Sequence, residues 1–165
     1  MARVIPNERT WIGFTDTRPA NLSQPTAAEI NAADDLTCLV MSINASAQGN
    51  TVPTPSLCSL FETSVPGTSQ ATFQGDFYRD DAEVAGDIID LAWNTLKRGV
   101  SGYFFISRFG GSGTNAKPVA GDQLEVWPVQ ITSRTAGALA SNTAQTFSIT
   151  AAVNEVPSED AEVHA

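Results

Sequence analysis

The sequence predicts a mainly β fold: a sandwich or barrel of about six to eight strands with one flanking α-helix over about residues 81–98. Three observations carry that expectation. Short runs rich in aromatic and β-branched residues recur along the chain, as strands require. Two of them alternate strictly, with Ala71, Phe73, Gly75 and Phe77 on one face of the first and Phe147, Ile149, Ala151 and Val153 on one face of the second. Only one segment combines a broad helical apolar stripe with signals at both of its ends.

In chain order, "RTWIGFTD" (Arg9 to Asp16) reads as a strand and "TRPANLSQP" as a loop. "PTAAEINAADD" (Pro25 to Asp35) suits a short helix with Pro25 near its start. "LTCLVMSI" (Leu36 to Ile43) is short and apolar, hence a strand. From Leu36 to Phe61 the chain carries no charge, and its middle, residues 44–56, is small, polar and punctuated by two prolines. That composition predicts a long uncharged loop, one that can be buried against another surface without desolvating ions. "CSLFET" (Cys58 to Thr63) and "QATFQGDFYR" (Gln70 to Arg79) follow as strands, the second placing Asp76 on its polar face.

Six acids crowd the stretch "GDFYRDDAEVAGDIID" (Gly75 to Asp90). Asp80 and Glu83 have capping-box spacing, and acids in a first turn complement the helix dipole. Val84, Ala85, Ile88, Ile89, Leu91, Ala92 and Leu96 form the stripe, with Trp93 at its margin and Glu83, Asp87 and Asp90 on the solvated arc. Lys97 and Arg98 occupy the predicted last turn and Gly99 the C-terminal cap. "GYFFISRF" (Gly102 to Phe109) is apolar on both faces, a buried strand. In "DQLEVWPVQITSR" (Asp122 to Arg134) the apolar phase moves at Pro128, which predicts a bulge or an edge position. "TFSITAAV" (Thr146 to Val153) closes a single domain, residues 1–153, and the acidic residues 154–165 read as a mobile tail.

The 165 residues carry a net charge of −9, which disfavours binding to DNA or to anionic membranes. No apolar run approaches the ~18 residues of a membrane helix, and the start lacks a signal-peptide core, so synthesis in a cytoplasm is expected. Cys38 and Cys58 form no C-x-x-C pair and are expected to be reduced, with a disulfide after release from the cell left open. Catalysis finds no support. The single histidine, His164, lies one residue from the end, so no serine has a base. One carboxylate helix lacks the facing helix a two-metal site needs. "GGSGTNAK" (Gly110 to Lys117) lacks phosphate-loop spacing. The chain is therefore expected not to be an enzyme and to hold no metal or cofactor.

The order of three stretches resembles the major tail tube protein of long-tailed phages with non-contractile tails. They are "PTAAEINAADDLTCLV", "TSQATFQGDFYRDDAEV" and "GDQLEVWPVQITSR…TFSITAAV". The resemblance implies a structural virion subunit that forms six-membered rings, stacked as a hollow tube through which DNA passes into the host without specific binding. It implies contacts with other copies of itself, and with tape-measure, tail-terminator and tail-tip proteins, through loops and terminal arms. The subunit-contact candidates are then Asn44, Gln48, Asn50, Thr51, Val52 and Thr54 in the uncharged segment, with Arg3 and Ile5 near the N-terminus. The alternative is a carbohydrate-binding-like β-sandwich, which would need exposed aromatics such as Trp127 with Tyr103 on one sheet face.

Overall fold

The computed structural model describes residues 9–58, 60–80 and 90–165. Among them are eight strands: β1 (Trp11–Thr15), β2 (Asp34–Asp35), β3 (Val40–Pro53), β4 (Ser64–Tyr78), β5 (Ser101–Ser107), β6 (Gln123–Ala136), β7 (Thr146–Val153) and β8 (Ser158–Glu162). Two helices accompany them, α1 (Ala27–Ala32) and α2 (Leu91–Thr95). The strands form one antiparallel sheet in the order β2-β1-β5-β6-β7-β4-β3, with β8 paired to β6 off that path.

This sheet folds over on itself. In the sheet order β4 and β5 stand three strands apart, about 14 Å in a flat sheet, yet the rings of Phe73 and Phe104 stack at 4.6 Å between centroids. The enclosed core is built from alternate residues: Ile12 and Phe14 of β1, Phe73 and Phe77 of β4, Phe104 and Ile106 of β5, Trp127, Val129 and Ile131 of β6, and Phe147 and Ile149 of β7. Helix α2 packs onto it through Ala92 and Leu96. Gly102 is required by this packing. A Cβ there would sit 2.6 Å from the Thr15 carbonyl oxygen and inside the ring of Phe14.

A second core lies on the opposite face of β1, β5 and β6, where Trp11, Phe105, Leu124 and Val126 meet Ile30 of α1 and Ala161 and Val163 of the C-terminal segment. Helix α1 starts with a reciprocal capping box: the Glu29 N–H donates to the Thr26 hydroxyl, and the Glu29 carboxylate accepts from the Thr26 N–H at 2.8 Å. Burial alone would raise the Glu29 pKa, but N–H donors from Thr26 and Ala20 hold it below its ordinary value.

Several expectations are corrected here. Residues 44–53 are not a loop. They are most of β3, and their alternation is real but carried by small residues, with Ile43, Ala45 and Ala47 opposite Gly75, Phe73 and Ala71 on one face and Asn44, Ser46 and Gln48 opposite Gln74, Thr72 and Gln70 on the other. Leu36 to Leu39 do not join that strand, because Thr37–Leu39 form a 3₁₀ turn. The described residues of "CSLFET" form no strand and lie between β3 and β4. The expected mobile tail contains β8, which pairs with β6, and the His164 N–H donates to the Pro25 carbonyl at 2.8 Å.

Pro128 marks neither an edge nor a phase slip. The β5–β6 register runs through it without a break, from Ser101↔Gln130 to Ile106↔Glu125. The apolar residues change phase because Leu124 and Val126 serve the second core while Trp127, Val129 and Ile131 serve the first. The Pro128 carbonyl accepts from Asn154 N–H on the side where β6 changes partner from β8 to β7. The missing N–H faces that same gap, so no ladder bond is lost.

Of the helix expected over about 81–98, the described residues show only α2, which starts at Leu91 with Asp90, at φ 54 in the left-handed region, as its N-cap; residues 81–89 lie outside the described residues. α2 ends at Thr95 with Leu96 as C-cap, so Gly99 is not the cap; it takes φ +88 in the turn that leads into β5. Glu83 lies outside the described residues, and Asp80 is exposed.

Candidate assembly surface

β3 stands at one end of the sheet order, so its outer edge pairs with no other strand among the described residues. β7 pairs with β4 only over Thr72–Tyr78, so Ser64 to Ala71 of β4 pair only with β3 among the described residues. The far half of the β3–β4 pair is therefore a two-stranded arm, exposed on both faces. Such a ribbon is marginal in water by itself. An exposed edge is usually guarded by charge, especially Lys, yet β3 carries none along its length.

The arm is tied at two levels. At its root, Asp76 spans three strands, accepting from Ser148 Oγ at 2.6 Å and from Ser42 Oγ at 2.7 Å. Those two hydrogen bonds, Ser148 first, hold its pKa below the ordinary carboxylate value. Near the tip, the Thr54 N–H donates to the Thr63 carbonyl at 2.8 Å and the Thr63 hydroxyl donates to the Thr54 carbonyl at 3.0 Å. Beyond this clamp Leu57 and Leu60 are fully exposed and Phe61 is 79% exposed.

A cleft of about 1080 Å³ opens beside the root of the arm, between β1 and β5 on one side and the start of β3 on the other. Ile12, Val40, Met41, Ile43, Ile106 and Phe109 give it an apolar lining, and Cys38 also lines it. Of its charged residues, Arg108 is already engaged by Glu125, whose hydrogen bond raises the Arg108 pKa.

Of the six sequence candidates in the uncharged segment, Asn44 lies at the root of this arm, opposite Gln74, and the other five lie along it or at its clamp. Asn44, Gln48, Asn50, Thr51 and Val52 are exposed along β3, and Thr54 belongs to the clamp. Arg3 and Ile5 lie outside the described residues. The acidic stretch does not act together. Asp76 serves the arm root, whereas Asp90 is not on a solvated arc: it is buried and paired with Arg79, its Nε–H donating at 2.8 Å. Arg79 and Arg134 in turn lie over the Trp93 ring at 4.3 and 3.7 Å from its centroid. Asp81, Glu83 and Asp87 lie outside the described residues. Among the described residues no three His, Cys, Asp or Glu side chains are grouped to hold a metal. The aromatic platform of the carbohydrate-binding alternative is absent, since Trp127 is buried and pairs with Phe104, which puts Tyr103 on the opposite face of the sheet. The signals that the sequence reading passed over are the tip residues Leu57, Leu60 and Phe61, apolar side chains in an uncharged segment.

A family model described as phage tail tube protein matches residues 1–165. Among solved structures, the fold is similar to a chain in the virion of a native gene transfer agent particle, at 15% identity and a TM-score of 0.56, covering 94% of this chain and 98% of that one. The tail of the empty gene transfer agent particle, determined with C6 symmetry, gives the same values. A chain of the SPP1 tail tube is similar at 14% identity and a TM-score of 0.61, covering 97% and 81% respectively. No curated protein matches the chain.

Proposed function

Because the chain belongs to the phage tail tube protein family, a family of structural virion proteins rather than enzymes, we propose that it assembles into six-membered rings that stack as the hollow tube of a phage tail. The observation that carries this reading is the β3–β4 arm: a long two-stranded ribbon, uncharged along β3, projecting from a well-packed body with its far half exposed among the described residues. Heterologous contacts of that kind close into rings or continue as stacks, and pairing an open edge with a neighbour removes the liability it would carry in a monomer. The six-fold symmetry of the gene transfer agent tail supports the ring number. DNA passes through without specific binding, because a chain of net charge −9 repels phosphate.

Within this reading, Asn44, Gln48, Asn50, Thr51 and Val52 meet neighbouring copies along the arm, with Arg3 and Ile5 contributing from the N-terminal segment. Tape-measure, terminator and tip proteins meet the same surfaces inside and at the ends of the tube, and the chain is made in the host bacterial cytoplasm. Electron microscopy of concentrated purified protein, alone and with tail-initiation proteins, tests it. Rings or tubes are expected; dispersed monomers under every condition would overturn it.

A further inference from the structure

The arm tip and the cleft have matching chemistry but cannot meet within one chain. The tip presents Leu57, Leu60 and Phe61 to solvent with Cys58 beside them. The cleft, about 1080 Å³, is at the upper end of the roughly 300–1,000 Å³ of an ordinary pocket, and Ile12, Val40, Met41, Ile43, Ile106 and Phe109 give it an apolar part. It has room for the side chains of a short segment. Its floor includes Val40 and Met41, where β3 begins, whereas the tip follows Pro53, where β3 ends. At about 3.3 Å per residue the strand holds the two roughly 40 Å apart. The same separation rules out a Cys38–Cys58 disulfide within one chain, since bridged Cα atoms lie within about 7 Å.

Charge narrows the choice of occupant. Two copies of an acidic chain repel each other, but β3, Ser64 to Ala71 of β4 and the tip residues Leu57 to Phe61 carry no ionised side chain; the exposed Glu62 follows them beside the Thr54–Thr63 clamp. The tip can enter a neighbour without burying an unpaired charge. The cleft has Asp35 on its lining and an Arg108 already paired with Glu125, so it offers no free cation to an acidic ligand. An uncharged apolar segment suits it, and this chain presents one on every copy.

We propose that Leu57, Leu60 and Phe61 of one copy seat in the cleft of a second copy, bringing Cys58 of the first beside Cys38 of the second. The inference rests on the assembly reading above and gives it a specific joint. The contact is heterologous, tip into cleft, so each copy donates one tip and accepts another and the chain of contacts continues.

The two cysteines report on this joint directly. Assembled protein is treated with a short bis-maleimide, to which each thiolate adds across one carbon–carbon double bond with no leaving group. A link within one chain is out of reach across about 40 Å. Wild type is expected to give a ladder of dimers, trimers and higher multimers, and Cys38→Ser and Cys58→Ser are each expected to abolish it completely. Both cysteines are exposed, so neither change threatens the fold. Assembled tubes that give no ladder, or Cys38→Ser tubes that still give dimers through a Cys58–Cys58 contact, overturn the tip-in-cleft joint and leave the tube reading standing. Protein that stays monomeric by electron microscopy overturns the tube reading itself.

Discussion

Leu60→Ala isolates the work of the arm tip. In the single chain Leu60 is fully exposed, so the substitution removes no packing from the fold. Surface changes of this kind alter stability by no more than about 0.5 kcal/mol. In the proposed joint the same side chain is buried in a neighbour. Truncation to Ala deletes three carbons, and at about 0.8 kcal/mol per buried methylene the loss is roughly 2 kcal/mol per joint. Each added subunit makes one such joint as donor, and every 1.4 kcal/mol is tenfold. The concentration at which tubes appear should therefore rise by about 30-fold. Sedimentation of a dilution series measures that threshold, and thermal unfolding of the unassembled protein provides the control. An unchanged threshold alongside an unchanged melting temperature would refute the reasoning, because the tip would then be exposed in the tube as well. A lowered melting temperature of the monomer would also count against it, since the tip would then be packed within its own chain.

Other outcomes test the body and the root of the arm. Gly102→Ala places a methyl against the Thr15 carbonyl and the Phe14 ring, and overpacking of this kind should cost about 1–3 kcal/mol in chemical denaturation. Val163→Ala removes two buried carbons from the second core and should cost about 2 kcal/mol, whereas a mobile tail would register nothing. For Asp76 the folded pKa lies below the unfolded one. Its contribution is therefore complete above about pH 4 and is lost as the pH falls through the folded value. Asp76→Asn should flatten the acid side of the stability profile, with hydrogen exchange rising first at the arm root. A wild-type acid limb retained in the variant would exclude this role.

Much of the body was legible in the sequence because large side chains wrote its period. β1, β5 and β7 read correctly, as did β4 from Gln70 onward though not from Ser64 to Ser69, with Phe73 and Phe77 inward and Asp76 outward. β5 was correctly read as buried on both faces, because Phe104 and Phe105 serve different cores. The arm was illegible for the opposite reason. Its inner positions are Ala45 and Ala47, which alternate as a strand requires but lack the β-branched signature, and its prolines resemble loop punctuation. The strand exists because β4 pairs with it for almost its whole length, a long-range fact that composition does not carry.

Two other misreadings have equally specific causes. The apolar shift at Pro128 came from one strand feeding two cores, which a single-face reading interprets as a slip. The C-terminal segment shows no apolar period in the sequence because only Ala161 and Val163 point inward, amid acids that face solvent. The Thr26/Glu29 capping box stands in plain T-x-x-E spacing, the same spacing as Asp80 and Glu83. Among the contact candidates, Asn44, Gln48, Asn50, Thr51 and Val52 are exposed on β3, a strand where their uncharged setting suggested a loop. The tip residues were passed over because an apolar cluster reads by default as a strand on its way into a core.

A cryo-electron microscopy map of the assembled protein, at a resolution that traces the main chain, tests most directly whether the β3–β4 arm is an assembly element. Six-fold rings are expected, with the far half of each arm covered by neighbouring copies and its Leu57, Leu60 and Phe61 side chains in a neighbour's cleft beside Met41 and Phe109. A tube in which the arms project into solvent, with β3 edges unpaired and clefts empty, would contradict that role.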